Sequence, residues 1–228
     1  MQMQTYFQPS KKLTVLYLRV LYVIWFLVGI FSLMYVAETV LIEGNSFDTA
    51  KRIIENETLF RLGIAGALVT QLMHIVVVIL FSRVFNETNI SQVKLLVIFG
   101  LVGVPIAMFS VAPQILSISL AKNGDNSLMM NMLDLNEYGV LVASIFWGLW
   151  LFPLGNLVKE SGYFPKFIAY PLYVGGIGYL IGTFAQIIVP DFTELSSAME
   201  VLTFGEVLFI IWFVIVGARL EKEKTNRK

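Results

Sequence analysis

"LTVLYLRVLYVIWFLVGIFSLMYVA", residues 13–37, carries a single charge, Arg19, and shows neither strand alternation nor a polar helical face. At 1.5 Å rise per residue, about 20 such residues cross the roughly 30 Å hydrocarbon core of a bilayer. A helix on the surface of a soluble domain would need a wet face, and this stretch has none. It predicts a transmembrane helix. As a first run it is too long for the apolar region of a cleaved signal, and no clean small-x-small site follows it, so it is expected to be retained.

Five more apolar runs follow, giving expected spans at about 13–37, 60–82, 93–118, 138–158, 167–189 and 200–218. The composition agrees: 57% of the 228 residues are hydrophobic and 14% charged, against about 45–50% and 25% in soluble domains. The expected fold class is therefore all-α, a polytopic integral membrane protein with six transmembrane helices. Residues 1–12 are expected to form a cytoplasmic tail, 13–218 the transmembrane domain and 219–228 a basic cytoplasmic tail. Two connections are long enough for short amphipathic helices on the outer surface. "NSFDTAKRIIENETLF" (45–60) would present Phe47, Ala50 and Ile54 on one face, and "NSLMMNMLDLNEYG" (126–139) Leu128, Met132 and Leu135.

Lys11, Lys12, Arg83, Lys94, Lys159, Lys166 and the basic C-terminal tail fall on one side of such a bundle, while most acids fall on the other. The positive-inside rule then puts both termini in the cytoplasm. A net charge of zero gives no support for nucleic-acid binding. The absence of cysteine removes disulfides, thiolate nucleophiles and Cys-based metal sites.

Several stretches carry a family resemblance: "ENETLFRLGIAGALVTQ" (55–71), "GLVGVPIAMFS" (100–110), "SIFWGLWLFPLGNLVKESGYFPKFI" (144–168), "GGIGYLIGTF" (175–184) and "FGEVLFIIWFVIVG" (204–217). Together they resemble the bacterial membrane proteins grouped as the domain of unknown function 4386 family. Arg61, Pro105, Pro153, Gly162, Pro165 and Glu206 fall on the pattern. The resemblance implies a six-helix protein of the bacterial cytoplasmic (inner) membrane, and it implies no activity. Members often carry histidines before the fourth span and an acid early in the second, where this chain reads "LNEYG" (135–139) and "GAL" (66–68).

Glu206 is the anomaly, because an unpaired carboxylate in hydrocarbon is disfavoured by roughly 2.5–3.5 kcal/mol on insertion scales. Counting from residue 200, it would lie about 9 Å into the sixth span. Arg61, opening the second span at the same end, is its expected partner, since a bidentate guanidinium–carboxylate pair neutralises it best. Gln114 and Gln186 fall at comparable depth, so Glu206, Arg61, Gln114 and Gln186 are the candidate ligand-binding set of an outward-facing pocket. The alternative is a packing ion pair with the glutamines as polar glue. His74, about 20 Å along the second span from Arg61, and Gln71 one turn before it are a candidate proton relay, weighed against a packing histidine. Arg19 is expected to snorkel to the headgroups. Gly178 and Gly182 form a GxxxG pair suited to close helix approach.

No catalytic residues, cofactor or metal site are read from the chain. It has no H-E-x-x-H, G-x-S-x-G or P-loop, and "MMNM" (129–132) lacks an adjacent His or Cys. The leading functional expectation is a non-enzymatic membrane protein in contact with lipids that binds, with transport as an extension, a small amphipathic or lipid-like ligand. The alternative is a structural or regulatory subunit that meets an unknown partner protein through its external helices.

Overall fold

The computed structural model describes residues 10–220. Ser10 opens α1 (Lys11–Gly29) by accepting the Leu13 N–H. The helix then widens into a π-helical turn, Ile30–Tyr35, and ends as the short α2 (Val36–Val40). Asn45 caps α3 (Ser46–Glu55) by accepting from the Asp48 N–H, and α4 (Glu57–Val84) follows at once. Asn89 similarly caps α5 (Ile90–Ser110) by accepting from Gln92 N–H. Next come α6 (Ala112–Lys122), α7 (Asn126–Glu160), a 3-10 turn (Lys166–Ile168), α8 (Ala169–Ile188) and α9 (Thr193–Val216).

Six continuous helical runs are long and apolar enough to cross a membrane: Lys11–Val40, Glu57–Val84, Ile90–Lys122, Asn126–Glu160, Lys166–Ile188 and Thr193–Val216. Large apolar side chains cover their outside, with Phe109 79%, Ile188 71% and Ile215 71% exposed. Such a surface has no place in water and suits lipid tails. This is a multi-pass membrane protein.

Each span packs chiefly on its neighbours in sequence, and the slighter contact of α1 with α9 joins the first span to the sixth. The interior divides into two apolar clusters. One, at the end that holds Ser10 and Leu220, gathers Tyr22, Phe81, Trp150, Leu154, Phe209 and Phe213. The other, at the far end, gathers Val36, Ile53, Phe60, Ile118, Met129 and Leu133. Lys11 is tied to the first end through Glu87 (2.6 Å) and the Tyr163 hydroxyl (3.2 Å). The Arg219 N–H donates to the Tyr163 carbonyl (2.8 Å), so Lys11 and Arg219 lie at the same end.

Three expectations need correction. The region read as a second external helix, 126–139, is the first part of the 35-residue α7, with no break before the fourth span. Its Met, Leu, Asn and Glu residues include nothing that stops a helix, and Met129 and Leu133, not Leu128 and Leu135, face the core. The segment read as the first external helix contains a helix, α3, but it buries Thr49, Ala50 and Ile53 and leaves Phe47 and Ile54 exposed. The sixth helix starts at Thr193 instead of 200, because "TELSSAM" is polar enough to read as loop yet readily continues a helix.

In lipid, helices gain little from burying apolar surface against each other, so close packing of small residues has to hold them. The α8–α9 seam shows it. A Cβ on Gly178 would come within 2.7 Å of Leu202 Cβ and 2.8 Å of the Met199 carbonyl oxygen, and one on Gly182 within 3.1 Å of Met199 Cβ. Across the seam, a Cβ on Gly205 would collide with the Pro171 carbonyl oxygen. The opposite face of α8 meets α7 as closely, at Gly148 and Gly176.

Arg19 reaches the last turn of α9. It donates through Nε (3.0 Å) and Nη2 to the Val214 carbonyl, and through Nη2 to that of Ile215 (3.2 Å). Carbonyls in a helix's last turn lack helical partners and attract a cation, so Arg19 clasps α1 to the end of α9.

Gly205→Ala should therefore abolish most folded protein, since only backbone movement could admit the methyl group. Gly29→Ala, whose added Cβ meets nothing within 4 Å, should be neutral or stabilising by up to about 1 kcal/mol. Detergent-extracted yield and thermal unfolding of the two variants check the contrast.

Candidate functional site

Glu206 sits near the middle of α9, 13 residues or about 20 Å along it from Thr193. The glycine seam fixes its place: Gly175 of α8 lies against the Glu206 backbone, and a Cβ there would approach the Glu206 nitrogen to 3.3 Å. The side chain is 7% exposed, and its Oε1 has no hydrogen-bond partner among the described residues. Three other buried polar atoms share that condition: His74 Nε2, Gln71 Oε1 and the Tyr22 hydroxyl. Buried polar atoms are nearly always paired, so four orphans in one protein call for a reason.

Three of the four residues share one place, and the fourth adjoins it. Glu206, His74 and Gln71 line a cavity of about 280 Å³ between the first span and α4, α7, α8 and α9. Tyr22 lies just below, edge-on to Trp25 (5.5 Å between ring centroids) and within electrostatic range of Glu206. Aromatic walls complete the space. His74 lies between Trp25 and Trp150, with centroids 5.8 and 5.0 Å away, and Trp147 meets Tyr179 edge-on at 6.4 Å. Trp25 Nε1 donates to the Thr70 carbonyl (3.0 Å), which holds this indole against α4.

The cavity's remaining rim is the π turn and its approach: Gly29, Ile30, Leu33 and Met34. Their neighbours Ser32 and Val36 seat on Gly66 and Gly63, where an added Cβ would come within 3.0 and 2.7 Å. The first span therefore leans on α4 in the far half and meets α9 through the Arg19 clasp at the other end. A second opening of about 170 Å³, lined by Phe26, Phe204, Val207 and Ile210, also reaches Glu206 between α1 and α9. Leu33, Met34 and Phe204 are half exposed or more, so both openings face the lipid side.

The residues expected to surround Glu206 are mostly elsewhere. Arg61 bonds Glu57 one turn earlier on its own helix, at 2.8–2.9 Å, and Glu57 also holds Lys122 (2.7 Å). Arg61 is the fifth residue of α4, some 20 Å along it from His74, beyond its side chain's reach to Glu206's level. The expected Glu206–Arg61 pair is absent, and with it the packing ion pair of the alternative reading. Gln114 is engaged elsewhere. Pro113 interrupts the helix between α5 and α6, and Asn136 Nδ2 donates to the freed Ser110 carbonyl (2.8 Å) while Gln114 Nε2 donates to Asn136 Oδ1 (2.7 Å). Gln186 lines a separate notch of about 250 Å³ with Glu137, Glu200 and Thr203, beyond Trp147 and Tyr179. Only His74 and Gln71 join Glu206, and Tyr22 and Trp25 were not legible as site residues at all. No group of three or more metal-ligating His, Cys, Asp or Glu side chains occurs among the described residues.

A family model described as a domain of unknown function, DUF4386, matches residues 20–217. The chain belongs to the DUF4386 family. A protein from Archaeoglobus fulgidus, named "Uncharacterized protein", is 34% identical over 109 residues, covering 47% of this chain and 60% of that protein. The match thus spans less than two thirds of that relative. No solved structure matches this DUF4386 member.

Replacing Asn136 by Leu should destabilise the protein by about 1 kcal/mol, because the Ser110 carbonyl loses its donor. Gln114→Leu should cost less, since Asn136 stays in place. Thermal unfolding in a lipid nanodisc measures both.

Proposed function

We propose that this DUF4386 protein binds a small amphipathic molecule in the mid-bundle cavity, its polar end at Glu206, His74 and Gln71 and its apolar end toward the lipid beside α1. The observation that carries this reading is that three of the four residues with a buried, unpartnered polar atom, Glu206, His74 and Gln71, line one aromatic-walled space. A packing role alone would favour pairing those atoms within the protein, as happens at Asn136 and at Ser144–Thr183 (2.6 Å). Entry from the side, between α1 and α9, suits a ligand already dissolved in the bilayer and replaces the outward-facing mouth expected from sequence. Exchange between that opening and the Gln186 notch would make the same site a route across the membrane.

We place the protein in a bacterial cytoplasmic membrane, on the resemblance described above, with the end bearing both termini facing the cytoplasm. The excess of Lys and Arg at that end supports the orientation. In this cysteine-free chain, a single cysteine at position 45 or 123 should react with a membrane-impermeant maleimide on intact cells, and one at position 86 only after permeabilisation. The reverse pattern would invert the orientation.

Three of the four tryptophans, Trp25, Trp147 and Trp150, line the cavity. A bromine-tagged long-chain alcohol titrated into nanodisc-embedded protein should therefore quench the fluorescence saturably. Gly29→Phe, which places a ring in open space at the rim, should weaken that quenching. Linear quenching, identical in parent and variant, would reduce the site to ordinary lipid contact.

A further inference from the structure

The polar end of the ligand has a definable chemistry. We propose that it is a cation: an organic amine or quaternary ammonium group carried on an apolar tail. The proposal rests on the cavity reading above and deepens it.

Four observations agree. Glu206 is the one acidic or basic side chain apart from His74 that lines the cavity, and no Lys or Arg joins it among the described residues. An ionised carboxylate in a low-dielectric interior needs a countercharge, and no Lys or Arg lining this cavity supplies one among the described residues. Gln71 Oε1 and an ionised Glu206 carboxylate only accept hydrogen bonds, so a protonated amine meets them with its N–H groups and a quaternary ammonium, which has no N–H, with its charge, whereas an anionic group would face two acceptors. The walls suit a cation as well. Trp25, Trp147, Trp150 and Tyr179 present the aromatic rings that attract ammonium groups within about 6 Å of their centroids, most strongly where water is excluded. Finally, the notch that shares Trp147 and Tyr179 with the cavity is itself acidic. Its charged lining residues are Glu137 and Glu200, again without a Lys or Arg among the described residues. A cation arriving from the far end of the bundle would therefore pass from one carboxylate region to the next, with the Trp147–Tyr179 pair between them.

The alternatives make different demands. A fatty acid would bring a second carboxylate beside Glu206. A long-chain alcohol would supply one donor and no charge, and would gain little from the aromatic walls beyond apolar contact. Charge thus discriminates among amphiphiles of equal tail length.

The test uses the whole chain in phosphatidylcholine nanodiscs, with four probes of one tail length: decyltrimethylammonium, decylamine, decanol and decanoate. Tryptophan fluorescence follows each titration. The two cations should saturate the signal at concentrations at least about tenfold below the alcohol and the acid. Glu206→Gln should bring the cations to within about twofold of the alcohol, and Trp147→Leu should narrow the same gap, with an unchanged unfolding midpoint reporting that each variant is folded. Equal affinity for decanol or decanoate in the parent, or a cation preference that survives both substitutions, overturns the proposal and leaves the cavity reading standing. If none of the four saturates in the parent, the cavity reading falls and the proposal with it.

Discussion

A carboxylate held at mid-bundle, with no Lys or Arg beside it in the cavity among the described residues, is the constraint on which the rest of this structure turns. Its position is not adjustable. Gly175, Gly178 and Gly182 bring α8 and α9 to backbone contact, and Gly148 and Gly176 do the same for α7 and α8. These seams are the means by which helices associate in lipid, where apolar burial offers little drive. They hold Glu206 facing inward, and rotating α9 to release it would break every close approach along the seam. Insertion scales put the unpaired charge at roughly 2.5–3.5 kcal/mol, a large fraction of a typical folding free energy. A site retained at that cost is a functional candidate by default.

The first span is the complementary element. It does not share the glycine seams of α7–α9, and it is held at separated points: Arg19 on the last carbonyls of α9, Trp25 on the Thr70 carbonyl, and Ser32 and Val36 on Gly66 and Gly63. The π turn Ile30–Tyr35 carries Ser32 and ends just before Val36. A π turn inserts extra residues into a helix and shifts the faces above relative to those below, and such turns frequently sit at functional sites. Here it lets Tyr22 and Trp25 face the interior while the next turns seat on α4, and it forms the rim of the cavity. The rigid half of the bundle thus holds the charge, and the first span, bound mainly at hydrogen-bonding clasps and small-residue contacts, covers it.

Six spans were legible because hydropathy is a local property, and so was the oddity of Glu206. Its place along the helix was not. The polar segment after Asp191 reads as loop, yet it is the first two turns of α9, so Glu206 stands mid-helix. Its partner was misread for a related reason. Arg61 lies at the far end of α4, where Glu57 is already one turn away on the same helix and Lys122 completes the cluster. The meeting of Glu206 with His74 depends on which spans are neighbours across the interior, and hydropathy does not encode that. Tyr22 and Trp25 carried no signal because aromatic residues in a transmembrane run are ordinary. The GxxxG at Gly178 was legible as a close contact, and its consequence for Glu206 came only with the identity of the helix packed against it.

The central claim is that Glu206 lies open to a cavity entered from the lipid and filled by a ligand's polar end. A structure determined experimentally in a lipid nanodisc tests it most directly. The account predicts elongated density between α1 and α9, its polar end within about 3 Å of Glu206 Oε1 and its tail beside Leu33 and Phe204. An α1 closed onto α8 and α9, with Glu206 hydrogen-bonded or ion-paired inside the protein, would contradict it.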